Sequence, residues 1–169
     1  LCNVKSQVDF IKNCLVGIEY DFFCVDVEQY WADWGEWRKQ YITKKLGAAT
    51  ISVSSHQLAS EIKKVTGKKT MIYTRASFFN KFGSPSWAQG RKLWVAHWGV
   101  EEPTLPQAWS DWEFWQTGQG QVAGQNMDLN SYNGDEESLY DNYGPEEPPV
   151  EGDVLVFDMY GNEQDWDWI

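Results

Sequence analysis

Apolar residues at Val4, Val8, Ile11 and Leu15 recur at helical spacing with Gly17 behind them, so the chain is predicted to open on an amphipathic helix. Residues 21–28 (DFFCVDVE) form a nearly continuous apolar run, the pattern of a strand covered on both faces as in a parallel sheet. Residues 29–47 are aromatic and charged, with a weak helical pattern. Ser54-x-x-Gln57 reads as a capping box ahead of Leu58, Ile62 and Val65, and Gly67 closes that helix. Four further strands are predicted at residues 70–75, 93–98, 113–117 and 126–130, separated by Gly, Pro and Ser-rich turns. A helix-connected start followed by closely spaced strands suggests an α/β barrel whose later part loses its intervening helices.

Beyond residue 143 the pattern changes. Residues 144–152 read as an acidic, Pro-rich, semi-rigid linker that begins beside Tyr143, and residues 153–169 carry one more buried-strand run, Val154–Phe157, in an acidic Trp-rich stretch. The expected organisation is a unit over 1–143, the linker, and a separate closing segment.

The charge is lopsided. Residues 1–92 hold all 14 Lys and Arg with 8 of the 25 acids, and residues 93–169 hold the other 17 acids and no base. A net charge of −11 argues against a nucleic-acid partner, and no apolar run is long enough to span a bilayer. Nor do the opening residues show the pattern of a signal peptide. The 11 Trp and 8 Tyr, many beside polar neighbours, suit a cleft that takes sugar rings, although packing accounts for most of them. Cys2, Cys14 and Cys24 crowd the first 24 residues; Cys14 and Cys24 sit in apolar patterns and are read as buried thiols.

Asp26 and Glu28 are two apart on a strand, so both side chains point to one face, with Cα atoms about 6–7 Å apart. At the carboxyl end of a barrel strand they would sit where such folds place catalytic groups. Two close carboxylates in a partly dry cleft do not ionise independently, so one holds its proton as an acid catalyst needs. Asp128, in Asn-Met-Asp-Leu-Asn, is a third strand-borne acid. The same residue types also fit a solvated strand end or a cation site, but a hard cation wants denser oxygen ligands and no calcium-loop pattern is present. No metal or cofactor is expected. His97 alternates away from Trp94 and Trp98 and is placed on the other side of its strand. Trp115 and Gln116 are out of phase, so one of them faces inward.

The ordered motifs DFFCVDVE, MIYT, LWVAHW, Trp115-Gln116 and MDLNSYNG resemble the lysozymes (muramidases) of glycoside hydrolase family 25, over about residues 1–143. The resemblance implies hydrolysis of the β-1,4 bond between N-acetylmuramic acid and N-acetylglucosamine in bacterial peptidoglycan, with assistance from the substrate's acetamido group. It implies Glu28 as general acid, Asp26 as the acid beside it that orients the acetamido group, and Asp128 as a third acid. Tyr73, Trp94, Trp98 and Gln116 would line the sugar cleft. It further implies secretion or delivery to the bacterial wall.

The implied fold is an incomplete (β/α)-barrel: strands four to eight of the family barrel are expected here, and its first three are expected to be missing from this chain. Trp98 and Thr117 stand where the family usually has Tyr. Residues 158–169 resemble the family's opening strand, with Asp158 at its first aspartate, which suggests a permuted chain or a second copy. A sheet lacking strands would expose edges that another chain or domain could complete. Two other functions remain open from sequence: a non-catalytic wall-glycan-binding module, and an assembly fragment.

Overall fold

The computed structural model describes residues 3–29, 31–32 and 40–144. The predicted strand at 154–157, Asp158 and the linker beyond residue 144 lie outside the described residues.

Helix α1 (Val4–Cys14) begins where the Asn3 side chain accepts from the Ser6 amide at 2.8 Å, a side-chain N-cap. It buries Val8 and packs Val4 and Ile11 on the core, while Cys14 is exposed. The expectation of a buried Cys14 is therefore corrected: the residue lies off the stripe defined by Val4, Val8 and Ile11. Strand β1 (Phe22–Asp26) follows, then two short strands, β2 (Trp31–Ala32) and β3 (Gln40–Tyr41), paired antiparallel, and helix α2 (Ile42–Leu46). The weak helical pattern over 29–47 thus yields only one short helix among the described residues.

Helix α3 runs over Ala48–Thr66 and ends at Gly67, whose φ of 72° is the left-handed cap that favours glycine. It starts six residues before Ser54, which corrects the capping-box reading. A residue caps a helix only with non-helical backbone, and here two alanines and the core-packed Ile51 extend the helix upstream. Inside that helix, the Ser55 hydroxyl donates to the Ile51 carbonyl at 2.8 Å.

Strand β4 (Lys69–Thr74) leads into α4 (Ala76–Phe79), a 3-10 turn (Asn80–Phe82), α5 (Ser86–Gln89) and β5 (Leu93–Ala96). The last strands, β6 (Phe114–Val122) and β7 (Gln125–Tyr132), form a hairpin before α6 (Glu136–Tyr143). The main sheet has the order β1-β4-β5-β6-β7, parallel across its first four strands and antiparallel at the hairpin. The expectation that the later part loses its helices holds for this hairpin, but short helices do connect β4 to β5.

Strand alternation sorts the sheet into two faces. Val25, Val27 and Ile72 join Ala59, Ile62, Phe78 and Phe79 in the core under α1 and α3. The other face carries Phe22, Cys24 and Asp26 on β1, Met71 and Tyr73 on β4, Trp94 on β5 and Phe114 and Gln116 on β6. At the amino end of the parallel strands α6 closes this second face. Tyr143, 3% exposed, sets its ring edge-on to Phe22 and Phe114 at 5.1 and 5.2 Å, and its hydroxyl donates to Glu113 at 2.6 Å. Tyr143 is therefore the anchor of a helix, where the sequence suggested the approach to a linker.

Candidate active site

The carboxyl end of the second face stays open, and there the sequence-predicted side chains meet. Strand β1 ends at Asp26, not at Glu28, but its extended course continues: the Val27 amide donates to the Tyr73 carbonyl at 2.9 Å. The fully buried Thr74 hydroxyl donates to the Val27 carbonyl at 2.7 Å. These two bonds fix the backbone that carries Glu28 and keep its side chain on the same face as Asp26. Both carboxylates reach solvent at the mouth of the cleft.

Asp26 lies beside Tyr73, Tyr73 beside Trp94, and Ala96 beside Gln116 in the parallel register. The Asp26 carboxyl is pushed up to about 6, first by burial of its inner side and then by the charge of Glu28. Tyr73 is raised by burial, then by the charge of Glu28 and a hydrogen bond to it, and further by the charges of Asp26 and Asp128. All three acids therefore act on one phenol. Below Asp26, burial and the Asp26 charge push the Cys24 thiol up as well, so it is held as the unreactive thiol.

Gln116, only 2% exposed, joins the sides of the cleft. Its carbonyl oxygen accepts from the Tyr73 hydroxyl at 2.9 Å and from Trp98 Nε1 at 2.7 Å, and its Nε2 donates to Asp128 Oδ2 at 2.9 Å. Asp128 Oδ1 accepts from Gln119 Nε2, also at 2.9 Å. Gln116 and Gln119 are three apart, so a regular strand would send them to opposite faces. The register shift between Gln116 and Gly118 inserts one extra residue on β6 and brings both amides to Asp128.

Trp94 is half-buried on the same face; its ring meets Tyr73 edge-on at 5.8 Å and its Nε1 donates to Asn130 at 2.9 Å. Trp98 lies past the end of β5, where Gly99 turns the chain at φ 69°, so it projects from a turn and is 50% exposed. This shortens the predicted strand at 93–98. His97 faces away, its Nδ1 accepting from the Thr104 amide at 2.9 Å, and Trp115 also faces away, donating to the His97 carbonyl at 2.7 Å.

The structure thus brings together Asp26, Glu28, Asp128, Tyr73, Trp94, Trp98 and Gln116. Sequence reasoning missed Gln119, Asn130 and Thr74. Gly118 and Gly120 were the available signal for the bulge that recruits Gln119, because glycine within a strand marks such irregularities. Among the described residues, no group of three or more His, Cys, Asp or Glu is arranged to hold a metal ion, and no helix is long and apolar enough to cross a membrane.

A carboxylate pair at the carboxyl end of parallel strands, faced by aromatic rings, places the chain among α/β half-barrel proteins whose working groups sit at that end. Within that class it belongs to the glycosyl hydrolases family 25, whose sequence profile matches residues 3–125. Lysozyme M1 of Streptomyces globisporus is 37% identical over 101 residues, 52% of this chain and 34% of that protein. The chain spans about a third of the length of the curated relatives it matches. The bacterial lysozyme from Streptomyces coelicolor has a similar fold, with a TM-score of 0.64 at 24% identity over 84% of this chain and 66% of that one. The family GH25 lysozyme from Aspergillus fumigatus gives 0.63 at 20% identity, over 85% and 68%.

Proposed function

We propose that the chain carries the acid cluster of a muramidase that cleaves the β-1,4 bond between N-acetylmuramic acid and N-acetylglucosamine in peptidoglycan. The observation that supports this best is the gathering of Asp26, Glu28 and Asp128 around Tyr73 at the open end of the sheet. Membership of the family and the likeness to a protein named as a lysozyme support the same substrate.

In this reading Glu28, held at the cleft mouth, gives its proton to the glycosidic oxygen as the bond to the muramic acid C1 breaks. The acetamido carbonyl oxygen of that sugar attacks C1 in the same step, closing an oxazoline, and Asp26 accepts the hydrogen bond from the acetamido N–H. A carboxylate with raised proton affinity suits that position, because it draws the N–H proton as positive charge grows on the ring. Water then opens the oxazoline with Glu28 as base, which restores the acetamido group and the acid. Asp128 and Gln116 position Tyr73 and Trp98 along the sugar. No resident metal or cofactor takes part in this scheme.

The reading extends to the setting: secretion or delivery to the bacterial wall, with another chain or domain adding to the sheet beyond β1. The test is release of reducing ends from purified peptidoglycan by the 169-residue chain and by Glu28→Gln. Loss of a general acid lowers the rate about 10²–10⁴-fold. Equal release by both proteins would remove Glu28 as the proton donor, and retained wall binding by a protein with no hydrolysis would favour a glycan-binding module.

A further inference from the structure

Next to the acid cluster, on the helix side of the strand ends, lies a cavity of about 590 Å³. Its lining includes Lys44, Arg75 and Lys81, the hydroxyls of Thr43 and Ser77, and Gln29; among the described residues none of its lining is acidic. In a chain of net charge −11, three cations on one concavity run against the overall charge. Among the described residues, none of the three forms an ion pair. Lys81 rests over the Phe78 ring at 5.3 Å, and Arg75 directly follows β4 in extended backbone, at the foot of α4. The cavity is within the size range of small-ligand sites.

Its place relative to the chemistry is fixed by the chain. Gln29 follows Glu28, so their Cα atoms are about 3.8 Å apart, and strand alternation turns Gln29 away from the acid cleft toward the cavity. The Thr43 hydroxyl donates to Gln29 Oε1 at 3.0 Å, tying α2 to the strand end. An anion held here is one side chain away from the proton donor. Guanidinium and ammonium donors converging on a concave surface recognise carboxylate through charge-assisted hydrogen bonds, and a cleft focuses their field.

We infer that this cavity takes the carboxylates of the peptide stem borne by the muramic acid whose bond is cut, so that Lys44 and Arg75 select stem-bearing glycan. The inference rests on the muramidase reading for its substrate and goes beyond it by assigning a separate anion site. The stem hangs from the same sugar whose C1 faces Glu28, and the cavity is lined by the residue that follows Glu28. The cavity supplies what the acid cleft lacks, an attraction for a negatively charged substrate in an acidic protein.

The experiment uses the full chain, its Lys44→Gln/Arg75→Gln variant, stem-bearing peptidoglycan, and the same glycan strands stripped of stems by an amidase. The variant is expected to lose about tenfold in kcat/KM on stem-bearing glycan, given two partly exposed charge pairs, and nothing on stripped strands. Equal losses on both substrates, or no loss on either, would overturn the inference. A second arm titrates a free alanyl-glutamyl-diaminopimelic acid peptide by NMR into the wild-type chain and the variant. Binding that perturbs Arg75 and weakens about tenfold in the variant supports the site, and absence of binding removes it. If the wild-type chain cleaves neither glycan, the muramidase reading fails and the titration alone decides the anion site.

Discussion

Asp26 offers a quantitative test of how the cleft treats its charges. Its carboxyl releases a proton near 3.8 in the unfolded chain and is pushed up to about 6 in the folded one by burial and by Glu28. Between those values the folded state holds a proton that the unfolded chain has lost, so raising the pH through this window costs folded stability. Below the window both states are protonated and nothing is lost; above it the cost is complete. The gap corresponds to at most about 3 kcal/mol. Because the side chain reaches solvent, screening reduces this to about 1 kcal/mol. Asp26→Asn keeps the shape and removes the charge, so at pH 7.5 it is expected to melt about 2–5 °C above the wild type. The gain is expected to shrink to nothing as the pH falls toward 4. Thermal melts of both proteins from pH 4 to 8 make the measurement. A variant that melts lower at pH 7.5, or a difference flat across the series, would refute the reasoning. On the proposed mechanism the same substitution abolishes most hydrolysis, the usual exchange of stability for function at a charged site.

Two other perturbations address the frame around the acids. Gln116→Leu removes a buried amide and takes one partner each from the Tyr73 hydroxyl, Trp98 Nε1 and Asp128 Oδ2. Urea unfolding is expected to show a loss of about 1–3 kcal/mol, with hydrolysis reduced as well; unchanged values in both assays would show that the linkage carries no weight. Gln119→Leu removes the amide that the bulge brings to Asp128 Oδ1. A folded protein, by its amide NMR spectrum, with at least about tenfold weaker hydrolysis is the expected result, and full activity would contradict the assigned role of the bulge.

Much of this arrangement was legible in the sequence because period-2 alternation survives in short strands. Asp26 and Glu28 could be put on one face from their spacing alone, and by the same rule His97 could be turned away from it and only one of Trp115 and Gln116 placed inside. The main strands were found, although their ends moved: β6 and β7 run further than predicted because hairpin pairing sustains polar residues such as Gln119 and Gln121 that no apolar pattern reveals. The start of α3 was misplaced because Ser54 has the right residue type for a cap, and only the packing of Ile51 shows the helix already formed. Helix α6 was missed for a different reason. Its first turn is acidic and Asp135 caps it, yet its anchoring rests on Tyr143 meeting Phe22 and Phe114, residues about 120 and 30 positions away that no local pattern joins.

The bulge is also what turns three like charges into a workable site. Acids on one face repel, and each is handled by different means. Asp128 accepts one amide hydrogen bond at each oxygen, from Gln116 and Gln119, which fixes its orientation. Asp26 instead answers the crowding by binding a proton more tightly. Glu28 faces the Tyr73 hydroxyl, whose one proton is divided between it and the Gln116 carbonyl. The Asp128 side of the cleft is therefore a fixed, hydrogen-bonded scaffold facing the Asp26 and Glu28 pair. That asymmetry depends on Gln119 as well as Gln116, since without the second amide Asp128 would keep one donor and compete for those that Glu28 and Tyr73 need.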